Sequence, residues 1–116
     1  MRLNRRQSSI RPKTVFARKV DKHHAAIVFE LRQMGYAVLD LSRVGSGCPD
    51  LLVSRGFVTA LIEIKTPRGH KTALERRNQA QIDFAEEWKG AIIVAYTASD
   101  AHYQFSLLLK RNGWVK

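Results

Sequence analysis

Gly47-Cys48-Pro49-Asp50-Leu51-Leu52-Val53, followed after a turn by Leu61-Ile62-Glu63-Ile64-Lys65, is the stretch on which the fold of this chain turns. Each half is a short aliphatic run bounded by Gly or Pro, the pattern of a β-strand. Side chains alternate along a strand, so Glu63 and Lys65 share one face while Ile62 and Ile64 point to the opposite, apolar one. An acid and a lysine emerging from a hydrophobic strand carry a desolvation cost, which an ion or a partner usually offsets. Gly56 predicts a hairpin between strands over Asp50–Ser54 and Val58–Lys65, and that pairing brings Asp50 near Glu63. Two carboxylates converging beside a sheet repel each other unless a divalent cation lies between them, and such an oxygen-rich site suits Mg²⁺ or Mn²⁺. Lys65 would then orient a water or neutralise charge growing on a phosphate. The plain alternative is an ion pair, Lys65 with Glu63 or Asp50, at a sheet edge, because short motifs recur by chance.

Outward from this segment, helical spacing of Val20, Ile27, Leu31 and Met34 predicts a helix over Val20–Met34, ended by Gly35. Tyr36–Leu41 reads as a strand, and Ser42–Pro49, with Gly45 and Gly47, as a loop. Thr72 with Glu75 forms a capping box ahead of a helix running to Trp88 or Lys89, with Gly90 beyond it. The continuous apolar run Ala91–Tyr96 predicts a strand covered on both faces, and Ser99 or Asp100 caps a last helix through about Lys110. The expected fold is α/β, ordered α-β-β-β-α-β-α, with a mixed central sheet flanked by helices and at least one parallel strand pair.

The chain of 116 residues carries 20 Lys and Arg against 10 Asp and Glu, a net charge of +10. Residues 1–22 hold eight basic side chains against Asp21 alone, so most of the excess sits there. Residues 1–17 are expected to be a flexible basic arm, Arg5, Arg6 and Arg11 among its phosphate-contacting candidates, and 18–116 one domain. A basic arm on a near-neutral body is the footprint of a nucleic-acid binder, or more blandly of a solubilising tail. With 45% hydrophobic residues the chain can bury a core, which excludes a wholly disordered or fibrous protein. No apolar run approaches a membrane span, no secretory leader is expected, and Cys48 alone excludes internal disulfides and multi-thiolate zinc sites. A cytoplasmic setting is therefore expected.

The Pro49-Asp50 … Glu63-Ile64-Lys65 arrangement resembles the PD-(D/E)xK nuclease superfamily, whose restriction-endonuclease-like core has the order α-β-β-β-α-β. Within it the fuller pattern is similar to the virus-type replication–repair (VRR-NUC) nucleases. The matching pieces are Leu31-Arg32-Gln33-Met34-Gly35, then Gly47-Cys48-Pro49-Asp50-Leu51-Leu52-Val53, Leu61-Ile62-Glu63-Ile64-Lys65-Thr66-Pro67 and Gln81-Ile82-Asp83-Phe84, over roughly residues 20 to 100. The resemblance implies a metal-dependent phosphodiesterase with Mg²⁺ or Mn²⁺ as cofactor, held by Asp50, Glu63 and the Ile64 backbone carbonyl. It also implies that Lys65 assists the attacking water and that Gln81 lies near the site. Its implied substrate is branched DNA such as a four-way junction, cut by a homodimer, and a phage replication–repair setting would fit. The family often adds a Glu from the first helix. Here no Glu occupies that turn; Asp21 with His24 is the nearest match, with Asp21 equally readable as a helix N-cap and Glu30 placed toward solvent.

Other candidates are secondary. Cys48 lacks a placed base and reads as small packing. Gly45-Ser46-Gly47, with Arg43, suits a close backbone approach to DNA, though it lacks the helix and Lys of a P-loop. Arg68, His70, Lys71, Arg76 and Arg77 form a basic cluster that contacts the DNA backbone or is merely a solvated face. Trp88 and Trp114 read as core or helix-end packing rather than base-stacking platforms. A divalent-metal-dependent DNA endonuclease is the expectation, and a non-catalytic basic nucleic-acid-binding module on the same fold is its rival.

Overall fold

In the computed structural model, residues 14–66 and 77–111 are described, the first eight of them by backbone alone. They form α1 (Thr14–Gln33), β1 (Ala37–Asp40), β2 (Leu51–Arg55), β3 (Val58–Ile64), α2 (Gln79–Glu87), β4 (Ala91–Ala95) and α3 (Ala98–Arg111). The order is the expected one. The four strands make one open mixed sheet, β1-β2-β3-β4, antiparallel at the first two junctions and parallel at the third.

The sheet is held by the alternation visible in its strands. Leu51, Val53, Ala60, Ile62, Ile93 and Ala95 turn to one face and are buried there against Ile27 and Leu31 of α1 and Ala101, Phe105 and Leu109 of α3. The opposite face carries Glu63 and, through the β3–β4 register, Val94 beside it. α2 lies over that second face, with Phe84 and Ala85 toward Ile92 and Val94. The layers are therefore helices, sheet, helix. The half of the second face formed by Ala37, Leu39, Leu52, Ser54 and Thr59 has no helix over it among the described residues.

The β2–β3 connection is a two-residue turn, Gly56-Phe57, with Arg55 opposite Val58. Both turn residues have positive φ, 60° and 64°, the handedness that matches the twist of a tight hairpin. Leu51 pairs with Ile62, so one step further along the same antiparallel register brings Asp50 opposite Glu63. The hairpin thus converts a sequence separation of thirteen positions into a direct cross-strand approach.

Four local expectations are corrected. α1 begins at Thr14, so residues 14–17, assigned above to the arm, are helical; Pro12 is the last helix breaker before Gly35, and nothing after it interrupts the helix. The helix expected from Thr72 is interrupted, because Asn78 is extended (φ −84°, ψ 174°) and α2 starts after it. There the capping box is Asn78–Gln81, the Asn78 side chain accepting from the Gln81 N–H. Thr72 and Glu75 lie outside the described residues. α2 is also shorter at its far end, with Trp88 as C-cap. Finally, Thr97, not Ser99 or Asp100, caps α3: its hydroxyl accepts from the Asp100 N–H at 3.0 Å, and Asp100 in turn accepts from the Tyr96 N–H.

The loop before β2 is fastened to α2 at Gly47. Its φ is +79°, and a Cβ there would meet the Ala80 carbonyl oxygen at 2.1 Å. Only glycine allows this approach, which sets Asp50 and Gln81 in one frame. Gly47→Ala is expected to lose about 2 kcal/mol or more, lowering Tm by roughly 10 °C in a circular-dichroism melt. An unchanged Tm would show that this contact does not hold the loop.

Candidate active site

Asp50, Glu63, Lys65 and Gln81, named from the sequence, are brought together at one end of the sheet. Asp50 stands just before β2, and its Oδ2 accepts the Ile64 N–H at 2.8 Å, which fixes the carboxylate across the hairpin. Glu63 is the buried acid of β3, with 5% of its surface exposed. Lys65 follows β3, anchored by its backbone N–H to the Ala95 carbonyl, and its Nζ lies 3.6 Å from Glu63 Oε2. Gln81, in the first turn of α2, connects the two: its Nε2 donates to Glu63 Oε2, and its Oε1 accepts from Lys65 Nζ at 3.0 Å and from the Asn78 N–H at 3.1 Å. One amide thus caps α2 and orients both ionisable groups.

The electrostatics follow from this packing. Burial, reinforced by the charge of Asp50, pushes Glu63 up to about 7, against the opposing pull of Lys65 and Gln81. Burial also raises Asp50, while the Ile64 N–H, His24 and Lys65 hold it back. The Cys48 thiol is pushed up by burial and by the Glu63 and Asp50 carboxylates, the reverse of nucleophile activation, which supports its role in packing. Two carboxylates competing for ionisation in a half-dry site are an electrostatic deficit that a cation removes.

A third side is built by residues that sequence patterns did not single out together. Asp40 ends β1 beside Asp50, since the Leu41 N–H donates to the Asp50 carbonyl at 2.7 Å. Its Oδ1 accepts from the Ser42 N–H and hydroxyl, which hold its carboxyl below the usual range, and its Oδ2 lies 3.3 Å from His24 Nε2. That His24 nitrogen is buried and has no hydrogen-bond partner among the described residues. His24 thus faces the sheet. Asp40 carried no local signal beyond its place near the end of the strand read over Tyr36–Leu41.

The remaining candidates scatter. Glu30 is exposed, as expected. Arg43 and Ser46 are exposed in the loop before β2, Ser46 with φ 56°. Arg77 is not the solvated residue its neighbours suggested: it is half-buried, its Nε has no hydrogen-bond partner among the described residues, and it lines a crevice with Glu63 and Gln81. The Asp21 side chain and Arg5, Arg6, Arg11, Arg68, His70, Lys71, Arg76 and Trp114 lie outside the described residues. Trp88 is half-exposed at the end of α2 and stacks on Phe84.

Among the described residues no three His, Cys, Asp or Glu side chains gather into a set that holds a metal by itself. The carboxylate pair is a donor set of another kind: Mg²⁺ commonly binds through one or two carboxylates and keeps its remaining positions for water and phosphate. The residues present fit such an ion, and they do not fit a closed structural site.

The class defined so far is a small α/β protein with a carboxylate pair, a lysine and a glutamine at one end of a mixed sheet. No family model matches the chain, and no curated protein or solved structure matches it. Among the described residues no helix is long and apolar enough to cross a membrane.

Proposed function

We propose that this protein is a divalent-metal-dependent endonuclease that hydrolyses DNA phosphodiester bonds, with a restriction-endonuclease-like core of the VRR-NUC type. The observation that carries this reading is the juxtaposition of Asp50, Glu63 and Lys65 across one hairpin, with the Glu63 carboxyl raised to about 7. A bound Mg²⁺ or Mn²⁺ would supply charge neutralisation at the phosphate and a more acidic water. The chain's own residues do the rest. Asp50 and Glu63, with the Ile64 carbonyl, would hold the ion. Lys65 orients the water and balances negative charge as the phosphate becomes more charged. Gln81 keeps Lys65 and Glu63 in register through its two hydrogen bonds. Arg77, in the crevice with Glu63 and Gln81, and Arg43 and Ser46, exposed in the loop before β2, would contact the DNA backbone.

The net charge of +10 supports a polyanionic substrate. Branched DNA as the substrate and a homodimer as the working form belong to this proposal: one body of this size offers one such site, and symmetric cutting of a junction needs two.

A second reading, a non-catalytic nucleic-acid-binding module, has one observation in its favour: Lys65 and Gln81 already satisfy Glu63 without an ion. The two are separated by offering four-way junction, flap and linear duplex DNA with and without Mg²⁺. Cleavage that requires the ion is expected; salt-sensitive binding without cleavage under any divalent ion would leave only the module.

A further inference from the structure

Trp88 leaves 44% of its surface in solvent although it is among the largest apolar side chains the protein has to bury. Its ring is not loose. It stacks on Phe84, centroids 5.6 Å apart and planes 18° from parallel. A Cβ on residue 90 would come within 2.8 Å of the Trp88 ring nitrogen, so Gly90 lets the chain turn into β4 without displacing the ring. Phe84 lines the same crevice as Glu63, Gln81, Gly47 and Pro49. The aromatic pair is thus continuous with the carboxylate site.

Gln81, Phe84 and Trp88 are spaced i, i+3, i+7 and fall on one stripe of α2. Gln81 and Phe84 turn that stripe toward the sheet, and it reaches solvent at Trp88, whose ring is therefore the face open to a ligand. A cation stands near each end, Arg77 in the crevice with Glu63 and Lys89 exposed next to Trp88, where the exposed Glu86 and Glu87 also lie. An aromatic surface between two cations, leading away from a phosphate-hydrolysing centre, has the chemistry of a single-strand platform, where bases stack on rings and phosphates meet cations.

We propose that the Phe84–Trp88 stack receives an unpaired nucleobase of the DNA strand whose backbone is held at Asp50, Glu63 and Lys65. The inference rests on the DNA-cleaving function proposed above and specifies its substrate. A base inside a duplex is already stacked on both faces, so the platform selects a strand with a free base, as at a branch or an end. Because every base has a π-face, this selection is structural and not sequence-specific.

The test uses the full chain with Trp114→Phe, which leaves Trp88 as the one tryptophan. Its emission is followed while a thymidine oligonucleotide, and separately a duplex of equal length, is added with Ca²⁺ in place of Mg²⁺. The single strand is expected to quench Trp88 strongly and the duplex to leave it nearly unchanged. In the otherwise unsubstituted chain, Trp88→Leu is expected to weaken single-strand binding about tenfold. It should leave the slope of affinity against salt unaltered, since no charge is removed. Single-strand binding without an emission change, or an equally tight Leu variant, overturns the platform. So does an emission change that depends on protein concentration alone, which would mark the stripe as a self-association surface. Cleavage with Mg²⁺ is measured in parallel: cutting with silent emission refutes the platform and leaves hydrolysis standing, whereas quenching without cutting supports the platform and refutes hydrolysis. Failure to bind either DNA overturns both.

Discussion

Asp50→Asn, Glu63→Gln and Lys65→Ala are each expected to lower Mg²⁺-dependent DNA cleavage by on the order of a thousandfold or more while DNA binding persists. The size of the loss follows from what each group does. Asp50 and Glu63 face each other across the hairpin, and replacing either leaves a single charged donor for the ion. Lys65 is the cation nearest Glu63 among the contacts described, at 3.6 Å, and its loss removes the charge that meets the developing phosphate. Asp50→Asn can still accept the Ile64 N–H through its amide oxygen, and Glu63→Gln can still accept from Gln81, so both variants are expected to fold. Binding survives because a protein of net charge +10 draws most of its affinity from phosphate contacts spread over its surface. Gel-based cleavage and binding at matched salt give the comparison. Equal activity in Lys65→Ala would remove the lysine from the chemistry.

The second large effect concerns stability against pH. Glu63 has its carboxyl raised from 4.5 to about 7, so folding favours its protonated form. Its contribution to stability is complete below about pH 4.5 and is lost as the pH rises to about 7; above that the buried carboxylate is a standing cost. At ~1.4 kcal/mol per tenfold change in proton affinity, that cost is about 3 kcal/mol. Without divalent ions, Glu63→Gln is therefore expected to raise Tm at pH 8 by roughly 10 °C or more and to have little effect at pH 4.5. Mg²⁺ added to the unsubstituted protein at pH 8 is expected to recover part of the same gain and, near pH 7, to release protons measurable by calorimetry in buffers of different ionisation enthalpy. A Glu63→Gln protein no more stable than its parent at pH 8 would mean that Lys65 and Gln81 already neutralise the site. In that case the alternative of a plain ion-paired sheet end would gain.

Which features were legible in the sequence, and which were not, follows the range of the interactions involved. The alternation of Ile62, Glu63, Ile64 and Lys65 is a property of one strand, and Gly56 marks a turn whose length fixes the register, so the approach of Asp50 to Glu63 could be read from residues 47–65 alone. The position of Gln81 near them was implied by resemblance, and the structure gives it a physical cause in the capping of α2. The start of α2 was misjudged because Thr72–Glu75 and Asn78–Gln81 both satisfy the same local capping rule. What distinguishes the second is tertiary: Gln81 is also bound to Glu63 and Lys65, and Gly47 is pressed against Ala80. The same holds for Asp40 and His24, sixteen positions apart and brought together only when α1 lies on the sheet. Arg77 looked like one more surface cation in a basic run, and its burial depends on the crevice that α2 forms over β3 and β4.

The platform proposed at Phe84 and Trp88 and the hydrolytic centre at Asp50 and Glu63 meet through Gln81 of α2 but depend on different physics, stacking in one case and charge in the other. Substitutions at the first should alter which DNA is held; substitutions at the second should alter whether it is cut.

The most direct measurement is a crystal of the protein soaked in Mn²⁺, read at the anomalous signal of the metal. A single strong peak within bonding distance of an Asp50 oxygen, a Glu63 oxygen and the Ile64 carbonyl is the predicted result, with Lys65 turned toward a metal-bound water. A map without a peak there, in which Glu63 stays hydrogen-bonded to Gln81 and paired with Lys65, would contradict the account at its centre.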